Sequence, residues 1–199
     1  MAKLYINRQI RLGDEVIDEA ELLKRSNLIV VLAEPGAGKT DFLLHLAGLL
    51  GGDSVRASHF ATPSYVPSSG ALVIDALDEV ARIGEVQLNE IISKASTHHV
   101  TTTVFASRSG EWDSSRNKFV EECFRFEPTI IHLKPFSEAE QEQLFENWFS
   151  MANFGEFAQE ADRFDLRPLL GNPEFLQLLG RAYFQNDRKF SSKSQIYAD

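Results

Sequence analysis

A short apolar run that breaks into a glycine-rich segment constrains the fold of this chain more than any other feature. Residues 28–33 read Leu-Ile-Val-Val-Leu-Ala, and residues 34–40 read Glu-Pro-Gly-Ala-Gly-Lys-Thr. The residues that follow are apolar at helical spacing as far as Gly51-Gly52. The pattern predicts a buried strand over 28–33, a tight turn, and an amphipathic helix over 40–50.

A strand, a glycine-rich turn and a helix in this order form a site for the phosphates of a nucleotide. The glycines lack the Cβ that would block a close phosphate, and the helix presents the positive end of its dipole. We expect Lys39 to reach the β- and γ-phosphates and Thr40 to ligate Mg²⁺. Ala33 stands where the strict motif has glycine, and a turn without a ligand is the alternative. The residues predicted to bind the nucleotide are Pro35, Gly36, Ala37, Gly38, Lys39, Thr40 and Asp41.

Acidic residues follow a second apolar run, residues 71–74, in the order Asp75-Ala-Leu-Asp-Glu79. We expect this run to be a strand beside the strand of the glycine-rich loop, so that Asp75 holds Mg²⁺ through water. Many P-loop ATPases carry a catalytic glutamate at the next position, where this chain has Ala76. Either Asp78 or Glu79 must therefore orient the attacking water. A solvated acidic turn is the alternative interpretation.

A third strand end carries an arginine. Residues 100–106 are rich in β-branched side chains and are followed by Ser107-Arg108. An arginine at this place can reach the γ-phosphate and supply positive charge where phosphoryl transfer develops negative charge. We expect Ser107 to help orient it. The alternative is a surface arginine that happens to follow a strand.

Predicted strands and helices alternate along residues 1–135, which predicts an α/β fold: a P-loop NTPase core with a mostly parallel sheet and flanking helices. Ligands of such sheets bind at the carboxyl ends of the strands, where the three motifs fall. A short strand or an arm is expected at 4–11, further strands at 55–59 and 129–133, and further helices at 15–25, 86–96 and 112–124.

Residues 136–199 contain several predicted helices and no predicted strand, which predicts a small helical lid domain. Ser137-Glu-Ala-Glu140 is a capping box that opens a helix through about residue 149. Further helices are expected near 155–163 and 174–184. Pro173 is predicted to bring the lid to the nucleotide, and an ordinary proline at a helix start is the alternative.

Composition restricts the partners. The 199-residue chain has a net charge of −9 and no run rich in lysine or arginine, which disfavours direct nucleic-acid binding. No apolar run approaches the roughly 20 residues of a membrane span. A single cysteine, Cys123, agrees with a reducing compartment. We therefore expect a cytoplasmic protein with no membrane partner.

Taken together, these motifs resemble the NACHT-type branch of the STAND signalling ATPases over about residues 25 to 185. The glycine-rich loop resembles the Walker A motif of that family, and residues 74–79 resemble its modified Walker B, with a small residue after the first aspartate. Ser107-Arg108 resembles its sensor-1 strand end. Gly171-Asn-Pro173 resembles the Gly-x-Pro motif whose proline contacts the nucleotide. Bacterial members, many linked to antiviral defence, share features of the segment around Trp112.

The resemblance implies an ATP-binding, slowly hydrolysing switch that uses ATP or ADP and Mg²⁺. ADP would hold a closed form through the lid and Pro173, and exchange for ATP would allow homo-oligomerisation. The winged helix and repeats that normally follow in the family are missing, so we expect either a segment of a longer protein or a minimal form. Two other classes stay open: a non-hydrolysing nucleotide-binding scaffold and an AAA+ helper ATPase.

Overall fold

The computed structural model describes residues 4–67, 70–150 and 153–190. They form two compact units. The sheet unit comprises residues 7–35 and 39–134, and the helical unit comprises residues 4–6 and 36–38 with the described residues from 135 onward. Residues 191–199 of the predicted lid lie outside the described residues. The division into domains at residue 135 stays a prediction.

The sheet unit contains seven strands and six α-helices among its described residues. The strands are β1 Ile10–Leu12, β2 Glu15–Ile17, β3 Leu28–Leu32, β4 Asp53–Arg56, β5 Ala71–Asp75, β6 Thr102–Ser107 and β7 Thr129–Leu133. The helices are α1 Glu19–Arg25, α2 Lys39–Leu50, α3 Ala57–Phe60, α4 Leu77–Ala81, α5 Glu85–Thr97 and α6 Ser114–Phe124.

The sheet runs in the order β2-β1-β7-β3-β6-β5-β4. The five strands from β7 to β4 are parallel, and β1 is antiparallel to both of its neighbours. Every residue of β3, β5 and β6 is buried. Strands covered on both faces need continuous apolar sequence, which explains the unbroken apolar runs. The predicted α/β class with a mostly parallel sheet is confirmed.

Three expected elements differ locally from the structure. Of the residues expected to form a strand or arm over 4–11, only the last two belong to a strand, β1. The helix expected over 15–25 is a strand, β2, followed by the shorter helix α1. Asp18 separates them because its carboxylate caps α1, accepting the Glu21 backbone N–H at 2.8 Å. The strand expected over 55–59 is also displaced: β4 ends at Arg56, and the next four residues form the short helix α3.

The helical unit packs α7 Glu138–Trp148, α8 Phe154–Arg163 and α9 Pro173–Gln185 around an aromatic core. The rings of Phe145 and Phe157 stack with their centroids 4.3 Å apart. The predicted capping box is present at the start of α7, where the Glu140 carboxylate accepts the Ser137 backbone N–H at 2.6 Å. The helices expected after residue 136 are therefore confirmed.

Candidate functional site

The glycine-rich loop joins β3 to α2 with the backbone that the sequence predicts. Gly36 and Gly38 have φ angles of 74° and 80°, in the left-handed region that a side chain disfavours. Helix α2 begins at Lys39, and Asp41 lies in its first turn. The loop, including Pro35 and Ala37, thus leads straight into a helix N-terminus, where backbone N–H groups have no helical partner and favour anions.

Thr40 and Asp75 meet directly in the sheet unit. The Thr40 hydroxyl donates to Asp75 Oδ2 at 2.8 Å, and the Ala76 N–H donates to Asp75 Oδ1 at 2.6 Å. Asp75 is buried at 9% exposure. These are two oxygen ligands of the kind that Mg²⁺ takes from a protein when phosphates and waters supply the others. The two residues therefore fit a bound Mg²⁺.

Ala76 forms a left-handed turn between β5 and α4. Ala76 has φ 62° and ψ 38°, a left-handed conformation that costs a non-glycine residue about 1 kcal/mol. This turn ends the strand and starts α4 one residue later. The small side chain that the sequence places at position 76 therefore suits a backbone conformation that larger residues rarely adopt.

Asp78 lies between two cations. Its Oδ1 is 3.6 Å from Lys39 Nζ, and its Oδ2 is 2.8 Å from Arg108 Nε. The Asp78 side chain is 5% exposed, while that of Lys39 is 14% and that of Arg108 is 36% exposed. A buried carboxylate is tolerated when charged partners of this kind surround it. The three motifs of the sequence therefore converge at Asp78.

The strand order differs from the sequence-based expectation in one respect. We expected the strand of Asp75 to lie beside that of the glycine-rich loop, but β6 lies between β3 and β5. Because β6 pairs with both neighbours in parallel, the carboxyl ends of all three strands lie at the same edge of the sheet. The insertion of β6 places Arg108, which follows it, between the other two strand ends.

Glu79 is not brought into this cluster. Its side chain is 53% exposed, and its Oε1 lies 2.8 Å from the Arg56 guanidinium at the end of β4. The two candidates for water positioning therefore occupy different surroundings. Sequence reasoning missed Arg56, because its contact with α4 depends on the strand order and no local pattern signals it.

Ser107 does not orient Arg108 as expected. It is 1% exposed, and among the described residues its hydroxyl has no hydrogen-bond partner. Successive residues of extended backbone point to opposite faces, which directs the side chains of Ser107 and Arg108 apart. The expectation is therefore wrong for this arrangement of the chain.

Pro173 is the first residue of α9, and Asn172 caps that helix by accepting the N–H groups of Glu174 and Phe175. This position is that of an ordinary proline at a helix start, the alternative interpretation of Pro173 in the sequence analysis. Within the helical unit, the Glu174 N–H also donates to the Gly36 carbonyl at 3.3 Å. A contact of Pro173 with nucleotide stays a prediction.

Comparisons with known proteins give only distant likenesses. No protein-family model matches the chain, and no curated protein matches it. Among solved structures, it is similar to RuvB, the Holliday junction branch migration motor of Thermotoga maritima, with 16% identity over 89% of this chain and 63% of that one, and a TM-score of 0.47. It is also similar to the Orc1 protein of Aeropyrum pernix, solved in complex with DNA, with 12% identity over 90% of this chain and 60% of that one, and a TM-score of 0.46.

The chain thus spans about three fifths of the length of each of these two proteins. At these identities and TM-scores, neither likeness identifies a family or a function. Among the described residues, no helix is long and apolar enough to cross a membrane.

Proposed function

We propose that the sheet unit binds ATP and Mg²⁺ at the carboxyl ends of β3, β5 and β6 and hydrolyses the nucleotide slowly. The observation that carries this proposal is the meeting of three separate sequence motifs around two buried carboxylates: Asp78 contacts Lys39 and Arg108, and Thr40 contacts Asp75. A chance glycine-rich turn would not bring a hydroxyl, two carboxylates and two cations together at one sheet edge.

Each residue has a distinct part in this proposal. The loop N–H groups and Lys39 bind the phosphates, and Thr40 and Asp75 hold Mg²⁺. Bound Mg²⁺ neutralises charge on the phosphate oxygens. Arg108 supplies positive charge at the γ-phosphate, because it follows the strand between the other two.

Of the two candidate acids, we propose Asp78 as the carboxylate that orients water. It lies with Lys39 and Arg108, both assigned to the phosphates, whereas Glu79 is exposed and pairs with Arg56. A phosphate that attracts the two cations would loosen their hold on Asp78 and leave its oxygens available to water.

The finer proposal is a regulatory switch of the NACHT or STAND kind in a signalling or antiviral defence protein. Its support is the motif set: Ala76 between two acidic positions, Arg108 at a strand end, and Gly171-Asn-Pro173 at the start of α9. In this proposal, ADP holds the closed form through Pro173, and exchange for ATP allows oligomerisation. A cytoplasmic location is part of the proposal, in keeping with the single cysteine, Cys123.

A nucleotide-binding scaffold that does not hydrolyse is the second candidate. One observation favours it: Asp78, the carboxylate of α4 that lies in the cluster, is already paired with Lys39 and Arg108 and so is not available to orient a water. An AAA+ helper ATPase is disfavoured by Ala76, which stands where such enzymes need a glutamate.

Isothermal titration calorimetry with ATP and with ADP, each with and without Mg²⁺, tests the binding proposal. We expect saturable binding of both nucleotides, tighter with Mg²⁺, and a rise in melting temperature. No heat and no change in melting temperature, with protein shown by circular dichroism to be folded, would contradict it. Binding without any turnover over hours would favour the scaffold.

A further inference from the structure

A cavity of about 550 Å³ lies beside β4, and none of the described residues that line it is assigned to the proposed nucleotide site. All four residues of the strand border it, together with residues of α3 and of the loop that follows. Its volume falls within the range of about 300–1,000 Å³ that is typical of small-molecule sites. None of the three sequence motifs accounts for it.

The polar lining of this cavity consists mainly of hydrogen-bond donors. Arg56 contributes a guanidinium, His59 an imidazole, and Tyr65 a phenol. Ser54 and Ser58 add two hydroxyls, and two valines complete the wall. A lining of this composition matches a ligand with several acceptor oxygens and negative charge.

One carboxylate, that of Asp53, also borders the cavity. It stands three residues before Arg56 on the same strand, which separates the two positions by roughly 10 Å at the rise of a β-strand. An anion at the Arg56 end is therefore closer to the guanidinium than to this carboxylate. Burial, first, and the Asp53 charge, second, raise the pKa of Tyr65, so its phenol keeps its proton as a donor at neutral pH.

Lys94 of α5 contacts the segment that carries His59 and Tyr65. Its ammonium donates to the carbonyl oxygens of Phe60 and Thr62, each at 2.6 Å. It also lies 4.8 Å from the centre of the Phe60 ring, a cation–π contact. The edge of the Tyr65 ring packs against His59, with the ring centroids 5.4 Å apart. These contacts tie the segment that carries the donors to α5 without any ligand.

Arg56 already binds one carboxylate, because Glu79 Oε1 lies 2.8 Å from its guanidinium. The pair is exposed, with 67% of the Arg56 side chain and 53% of the Glu79 side chain accessible to water. An exposed pair of this kind contributes little stability and is readily exchanged. Glu79 thus marks the guanidinium as an oxyanion-binding group within this part of the structure.

We propose that this cavity is a binding site for a small oxyanion ligand, carrying carboxylate or phosphate groups, and that the ligand replaces Glu79 at Arg56. His59, Tyr65 and the two serines donate to its remaining oxygens. The residues of this site differ from those assigned to the nucleotide, although Arg56 is the register partner of Asp75 on the neighbouring strand, and the site does not depend on hydrolysis.

Nuclear magnetic resonance titration of the isotope-labelled chain tests the site, with citrate and inorganic phosphate as separate probes. We expect saturable shifts of the backbone amides of residues 53–59 and of the Arg56 side-chain N–H. Shifts of residues 36–40 report separately on phosphate bound at the glycine-rich loop. The probe that gives shifts at residues 53–59 identifies carboxylate or phosphate as the group recognised, and either supports the proposal.

Three variants decide whether Arg56 binds the anion. Arg56→Ala should weaken binding roughly tenfold, the low end for a hydrogen bond to a charged group. Glu79→Gln should tighten it about threefold, because it removes the competing carboxylate of an exposed pair. Arg82→Ala is the matched control, since Arg82 is another exposed arginine paired with a glutamate, Glu111. It should leave the affinity unchanged.

The absence of saturable shifts at residues 53–59 with either probe would overturn the proposal. An Arg56→Ala variant that keeps the wild-type affinity, or a Glu79→Gln variant that binds more weakly, would overturn the role of Arg56. Because the readout is binding beside β4, failure of ATP hydrolysis would leave these results unaffected.

Discussion

Asp78 and Glu79, the two consecutive acidic residues of helix α4, lie in different surroundings. Asp78 is buried between Lys39 and Arg108, in the strand-end cluster that these residues form with Thr40 and Asp75 and that we call the inner region. Glu79 is exposed and contacts Arg56, in the outer region, which comprises Glu79 and residues 53–66. The inner carboxylate is removed from water and depends on its partners, whereas the outer one is accessible to water and its ion pair contributes little stability. The comparison teaches that two neighbouring acids of one sequence motif can lie in different surroundings, so their roles have to be tested separately.

The largest effect should come from the inner region when its phosphate-binding cation is removed. Lys39→Ala should weaken ATP binding about a hundredfold, because a charged hydrogen-bond donor to the phosphates is lost. Arg56→Ala, which removes a cation from the outer region, should leave the affinity of the glycine-rich loop for ATP unchanged. Calorimetry on both variants measures the difference. Equal losses would show that the two regions are not separate with respect to nucleotide.

Stability should distinguish the two acids next. Asp78→Asn should lower the free energy of unfolding by about 2 kcal/mol, because it leaves Lys39 and Arg108 close together without their shared counter-charge. Glu79→Gln should lower it by about 0.5 kcal/mol or less, as expected for an exposed pair. Urea denaturation of the two variants gives both values. A larger loss for Glu79→Gln would reverse the comparison.

The Mg²⁺ ligands give a smaller effect within the inner region. Thr40→Ala should reduce the gain in ATP affinity that Mg²⁺ provides by about tenfold, because one oxygen ligand is lost. Thr62→Ala is the control in the outer region, where the hydroxyl donates to the His59 carbonyl. Titrations of ATP with and without Mg²⁺ measure the change. If Thr40→Ala shows the wild-type gain, Thr40 does not ligate the metal.

The smallest effect concerns Tyr65 in the outer region. Burial and the Asp53 charge raise the pKa of Tyr65 above its ordinary value of 10.0. The folded chain therefore holds this proton more tightly than the unfolded chain, and the resulting stability is present below pH 10.0 and lost as the pH rises through the folded pKa. Ultraviolet titration of wild type and Tyr65→Phe isolates this group. A Tyr65 that deprotonates below the ordinary value would contradict the burial seen beside β4.

The sequence predicts much of the inner region because its signals are local. The glycines at positive φ and the buried apolar strands all depend on neighbouring residues. The capping box at Ser137 is equally local, and each of these features appears where the sequence places it. Asp18, a helix cap, is a signal of the same kind that would have moved the start of α1 to its observed place.

The outer region was not predictable, because it depends on strand order. The contact of Arg56 with Glu79 joins residues 23 positions apart, through the pairing of β4 with β5. The position of β6 between β3 and β5 is likewise a property of the whole sheet. Short patterns carry no information on which strands become neighbours, so pairs of this kind appear only in the folded chain.

Single-turnover hydrolysis of ATP by wild type, Asp78→Asn and Glu79→Gln tests the central proposal most directly. We expect slow hydrolysis by wild type, a loss of at least about a hundredfold in Asp78→Asn, and a rate within about threefold of wild type in Glu79→Gln, because only the inner carboxylate orients water. Wild-type rates in both variants, or a large loss confined to Glu79→Gln, would contradict it.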